Sequence, residues 1–196
     1  TLTAPTTSPS AAFGIFYNSV HIVAGTGTNV NRLYISNQAD MGDFTVAPGG
    51  TPPQPEDSTE VPGASSFTGT AALTEANIID IAKDDGDKIT GLAKFAEKLI
   101  IFKERSSYSM VFDSTGKPVV SQISATIGCV SHRSIDNVEN DIFFLSRNGY
   151  YTLGYQANFN LGLRTNELSA KIHPLIETIT PANLPNTCSI FDTYTF

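Results

Sequence analysis

The chain has 196 residues, of which 40% are hydrophobic and only 16% charged, and a net charge of −7. Its twelve basic residues are spread along the chain, and the densest group, Lys98, Lys103 and Arg105, is interleaved with Glu97 and Glu104; this argues against sequence-specific nucleic-acid binding, which needs clustered Lys and Arg. No run approaches the roughly 18 to 20 apolar residues of a membrane helix, and no basic-then-apolar signal segment opens the chain, so no membrane passage is expected.

Residues 1–12, rich in Thr, Ser, Pro and Ala, read as an extended leader, and residues 13–196 as one β domain. The stretch from Phe13 to Ala24 reads as two β runs around a turn at Asn18-Ser19. Gly25 to Asn29 forms a loop and Arg32 to Ser36 a short strand. Residues 47–70 carry Pro, Gly and acid in place of strand formers and read as a long surface-loop insertion. Asn77 to Ala82 returns to strand character, and Lys83-Asp84-Asp85-Gly86-Asp87-Lys88 has the composition of a hairpin turn. Ile89 to Ala96 and Leu99 to Phe102 follow as strands, with Glu97-Lys98 as the turn between them. Tyr108 to Phe112 alternates again before a turn at Asp113 to Pro118. Leu168, Ile172, Leu175, Ile176 and Ile179 have helical spacing, with Asn166 as a candidate cap; Pro174 limits this segment to one or two short turns.

The chain repeats itself. Lys98 to Phe112 and Asp141 to Tyr155 both run as a charged residue, four apolar residues, a polar turn and an alternating strand, 43 residues apart. A third copy, Val20 to Ala24 with Arg32 to Ser36, is split by the Gly/Thr/Asn loop, and a fourth begins at Asp192. A period of about 40 to 50 residues with four strands per unit is the mark of propeller blades. The expected fold is all-β: about three propeller blades plus the start of another, with one short helical linker. Leu99 to Phe102 and Ile142 to Leu145 then read as inner strands covered on both faces. A closed propeller takes at least about four blades, so the ring is expected to be completed by residues outside this chain, which begins without Met.

No catalytic, cofactor-binding or metal residues are expected. Asp84, Asp85 and Asp87 lack EF-hand spacing and read as a solvated hairpin tip. Cys129 and His132 lie three apart without an orienting partner, and His21 and His173 have no metal-ligand spacing. Cys129 and Cys188 are too few for a disulfide scaffold and read as two buried thiols. Gly25-Thr26-Gly27 lacks the third glycine of a dinucleotide loop, position 30 being Val30. A glycosidase needs two carboxylates across a pocket, and here the acids fall at turns.

The run Asn31-Arg32-Leu33-Tyr34-Ile35-Ser36 through Asp43-Phe44 resembles a unit of propeller proteins in tailed-bacteriophage tails, Arg-Leu-aromatic-x-Ser followed by Asp and Phe. Leu99 to Phe102 with Ser107-Tyr108, Phe143 to Ser146 with Asn148 to Tyr151, and the Ser-x-x-Ile linker Ser169 to Ile172 are similar to further parts of that family. The resemblance implies a structural, non-enzymatic virion component, a tail nozzle, stopper or hub around the DNA channel that serves genome ejection. It implies a homo-oligomeric ring, assembled in the host cytoplasm, with other tail or head–tail connector proteins as partners. The aromatic content leaves a glycan- or protein-binding propeller in host recognition as the alternative.

Overall fold

The computed structural model describes residues 9–38, 40–44, 77–83, 85–114, 116–155 and 163–192. The 47–70 insertion, residues 1–8 of the leader and all but the first residue of the fourth copy lie outside the described residues.

Among the described residues the chain is all-β and forms three four-stranded antiparallel sheets, none of which closes on itself. Sheet one orders β1 (Phe13–Tyr17), β2 (Val20–Ala24), β3 (Arg32–Ile35) and β4 (Asn77–Asp80). Sheet two orders β5 (Ile89–Phe95), β6 (Lys98–Lys103), β7 (Ser107–Phe112) and β8 (Pro118–Ser124). Sheet three orders β9 (Asp136–Val138), β10 (Asp141–Ser146), β11 (Gly149–Tyr155) and β12 (Leu163–Glu167). Within each sheet the strands follow in chain order, so each sheet is a simple meander.

The turns carry the meanders. Asn18 and Ser19 both take positive φ, 49° and 66°, as a two-residue turn that matches strand twist requires. Between β5 and β6 the turn falls on Ala96-Glu97, one residue earlier than the sequence reading, with Ala96 at φ 49°. Residues 83–88 are not a hairpin turn. They connect the last strand of sheet one to the first strand of sheet two, and turn composition does not distinguish the two cases.

Sheet two is packed on both faces. Leu99, Ile101, Tyr108 and Met110 join Val20, Ile22, Leu33 and Ile79 of sheet one in one buried cluster. On the opposite face, Ala93, Phe95, Ile100 and Phe102 join Ile142, Phe144, Tyr151 and Leu153 of sheet three. Residues 99 to 102 of β6 therefore alternate between two cores and all four are fully buried. The pairings Leu99↔Met110 and Ile101↔Tyr108 recur 43 residues on as Ile142↔Leu153 and Phe144↔Tyr151. The equivalent run in β10 is covered less evenly: Ile142 and Phe144 face sheet two, whereas Phe143 on the outer face is only half-buried. Both runs are second strands of their sheets rather than inner ones. The first strands β1 and β5 lie against each other.

The two ends of the stack are capped. On the outer face of sheet one, Arg32 donates through Nε and one terminal nitrogen to the two Asp80 carboxylate oxygens (2.6 and 2.9 Å), and Ser36 Oγ accepts from the His21 amide (2.9 Å). A turn at residues 40–43 then brings Phe44, nearly buried, edge-on to the His21 ring. On sheet three, Leu184 and Ile179 pack on Leu145 and Tyr150. The short helix α1 (His173–Ile176) carries Pro174 in its first turn, where no amide partner is lost. Its N-terminal flank is Ile172, while Asn166, the expected cap, lies within β12.

Ile100→Ala and Ile101→Ala face opposite cores, and each is expected to lower the unfolding free energy by about 2–5 kcal/mol. Val119→Ala, at a position 45% exposed, should change it by less than about 0.5 kcal/mol. Urea unfolding followed by circular dichroism measures all three.

Candidate functional site

The entries to the three sheets meet at one end of the molecule and enclose a cleft of about 590 Å³. Its walls come from Phe13 at the start of β1, the Gly25-Thr26-Gly27 loop after β2, Lys88 to Thr90 at the start of β5, and Val130 to Arg133 ahead of β9. Pro185 and Asn186 of the C-terminal segment complete it.

Local chemistry explains each wall. Gly25 has φ +77° and sits so close to Phe13 that a Cβ would lie 2.8 Å from its ring, so only glycine fits there. Thr26 Oγ1 donates to the Asn29 carbonyl (3.1 Å) and accepts from the Asn29 amide (3.2 Å), which closes the loop. This loop joins two strands, not a strand to a helix, and so differs in context from a dinucleotide-binding turn. Thr90 donates to the Cys129 carbonyl (2.6 Å) and ties the entry of sheet two to that of sheet three. At Gly128 the chain crosses the backbone of residues 103–105 so closely that a Cβ would fall 2.2 Å from the Lys103 carbonyl oxygen. The C-terminal wall is pinned by Ser131 Oγ donating to the Thr187 carbonyl (2.7 Å) and the Ser189 amide donating to the Arg133 carbonyl (3.0 Å).

His132 opens a 3-10 turn, His132–Ser134, and its ring lies 5.0 Å from the Phe13 ring. Partial burial lowers its pKa below 6.5. Cys129 points the other way, into the core between sheets two and three. Its Sγ donates to the Ser131 carbonyl (3.1 Å), and burial pushes the thiol up to about 11. The two residues, three apart in sequence, are not brought together as a nucleophile and its base. Cys188 is exposed, and both thiols are free; the reading of two buried thiols holds for Cys129 alone.

The acids at residues 85–87 are not a solvated tip. Asp87 is buried and accepts from the amides of Glu104 (3.1 Å) and Arg105 (2.9 Å), and from Ser106 Oγ (3.3 Å). Asp85 Oδ1 accepts from Lys103 Nζ at 2.5 Å. Lys103 is itself fully buried, and its ammonium also donates to the carbonyls of Ile81 (3.0 Å) and Ala82 (3.2 Å). These carboxylates are committed to the joint between sheets one and two; Asp84 lies outside the described residues. Glu104 and Arg147, equivalent positions 43 residues apart, bind each other across sheets two and three.

His21 stacks on Phe16 (4.6 Å, 20° between planes), and burial lowers its pKa. His173 lies between Glu167 (3.4 Å) and Glu177 (3.3 Å). Among the described residues, no three of His, Cys, Asp and Glu gather as a metal site, and no helix is long and apolar enough to cross a membrane. The cleft itself was not visible in the sequence, because Lys88 and Arg133 are distant in the chain. The 43-residue repeat is the signal that would have found it, since equivalent sheet entries converge.

No protein-family model matches the chain, and no curated protein matches it.

Two outcomes follow. At neutral pH, iodoacetamide should alkylate Cys188 quickly and spare Cys129 until the chain unfolds, read by mass spectrometry of the two peptides. His21 and His132 have folded-state pKa values below 6.5, so the unfolded chain binds protons that the folded one refuses. Stability should therefore fall as pH drops through 6.5 and level off below the folded-state values. A His21→Gln/His132→Gln variant should show a flatter fall between about pH 7 and pH 5 in denaturant titrations.

Proposed function

We propose that this chain contributes three blades of a β-propeller to a tailed-bacteriophage particle, as a structural, non-enzymatic part of a tail nozzle, stopper or hub around the DNA channel. The observation that carries the blade reading is the stack of three four-stranded meanders in chain order, with the second and third strands of sheets two and three in the same register. Propeller blades are four-stranded antiparallel sheets packed face to face around an axis. The contact between the first strands β1 and β5 supports this reading, because in a propeller the first strands of neighbouring blades line the axis.

The assignment to a phage tail rests on the resemblance of the Asn31–Phe44 unit. The residues that carry it have defined work in this fold: Arg32 holds Asp80, Leu33 packs into the core, Ser36 holds the His21 amide, and Phe44 covers the same histidine. Three blades fall short of the roughly four that a closed propeller needs, so further blades complete the ring. The finished part is a homo-oligomeric ring that contacts other tail or head–tail connector proteins. It assembles in the host cytoplasm, uses no cofactor and serves genome ejection.

Electron microscopy of the source particle tests this. The expected result is tail density that accepts three consecutive blades in a symmetric ring. Finding the chain monomeric and outside any particle would overturn it.

A second reading, a glycan-binding propeller in host recognition, draws on Phe16, which is 64% exposed and stacked on His21. Aromatic faces of this kind offer a stacking platform. A glycan array in which wild-type protein binds a sugar and Phe16→Ala does not would favour it over the structural reading.

A further inference from the structure

The cleft at the sheet entries carries the opposite charge to the chain as a whole. The protein has a net charge of −7, yet no Asp or Glu lines the cleft, while Lys88, His132 and Arg133 do. Lys88 and Arg133 are exposed and form no ion pair among the described residues. The hydroxyls of Thr26 and Thr90 are already engaged with backbone carbonyls. Whatever enters is therefore met by cationic donors and by the Phe13 and His132 rings.

We propose that this cleft is a binding site for a small organic anion, with a phosphate or carboxylate group between Lys88 and Arg133 and a flat apolar body against Phe13 and His132. The inference is independent of the propeller reading.

Size, shape and charge agree. A volume of about 590 Å³ falls within the range of small-molecule sites, which are mostly apolar with a few placed polar groups. At Gly27 a Cβ would meet nothing within 4 Å, so the loop leaves open space at the mouth. The Arg133 guanidinium offers a planar fork that matches a carboxylate or phosphate, and Lys88 supplies a mobile point charge. Charge-assisted hydrogen bonds of this type are about twice as strong as neutral ones. The rings give the ligand's apolar body a surface to lie on.

The test uses the whole chain in solution and three probes: phenyl phosphate, benzoate and neutral phenol. Proton NMR follows the His132 Cε1–H signal, assigned with His132→Gln. The expected result is a saturable shift of that signal with at least one of the two anions, and binding of phenol weaker by at least about tenfold, or 1.4 kcal/mol. Binding should also raise the pH midpoint of the His132 titration, because a nearby anion favours the imidazolium. The variant Lys88→Gln/Arg133→Gln, with a circular dichroism spectrum matching wild type, should bind the anion at least about tenfold more weakly. A response to phenyl phosphate alone assigns the group as a phosphate, and to benzoate alone as a carboxylate. No saturable shift with either anion, phenol binding as tightly as the anions, or unchanged affinity in the folded double variant would each overturn the proposal.

Discussion

Strand β6 has no solvent side, and the rest of the fold is arranged around that constraint. Leu99 and Ile101 project into the core shared with sheet one, and Ile100 and Phe102 into the core shared with sheet three. Burial of each such side chain contributes roughly 1.5–3 kcal/mol, so a short run of chain holds two interfaces at once. The next residue, Lys103, is also fully buried. Its alkyl stem extends the apolar run, and its ammonium is satisfied at the edge by two carbonyls and the Asp85 carboxylate. A charge buried without such partners would be strongly unfavourable.

The connections are as tightly specified as the cores. Asp87 holds three donors of the turn after β6, and Gly128 lets the chain into sheet three pass directly over that same turn. The two contacts fix where the entries to sheets two and three lie relative to one another. With Phe13 and the Gly25–Gly27 loop they fix the cleft. The site is thus a product of the joints between sheets, with Lys88 directly ahead of β5 and Arg133 within the 3-10 turn that leads to β9.

Much of the strand pattern was legible in the sequence because it is periodic. Asn18-Ser19 marked a hairpin by residue types that tolerate positive φ, and the 43-residue repeat anticipated the shared register of β6–β7 and β10–β11. The errors have physical causes. Ala96 takes a left-handed conformation that its identity does not advertise. Residues 83–88 have turn composition but lead to a different sheet, and Asp87 is buried by the segment Glu104 to Ser106, 17 to 19 residues on. Asn166 was read as a helix cap from a pattern that begins in β12. Cys188 lies in a segment whose burial depends on what it packs against, which local sequence does not encode. The cleft escaped the sequence reading because its cations converge only once three sheets are stacked.

Because sheets two and three are built from strands that follow one another closely in the chain, they are suited to being built in the order in which they are synthesised. Each of these two forms through contacts between neighbouring strands without long loop closure, whereas pairing β3 with β4 of sheet one must bring together strands separated by residues 36–76. Sheet two nevertheless has two apolar faces, and sheet one can cover only the first as the chain emerges. The face bearing Ala93, Phe95, Ile100 and Phe102 stays uncovered until β10 and β11 exist. For that interval a nascent chain presents the kind of transient apolar surface on which other chains associate.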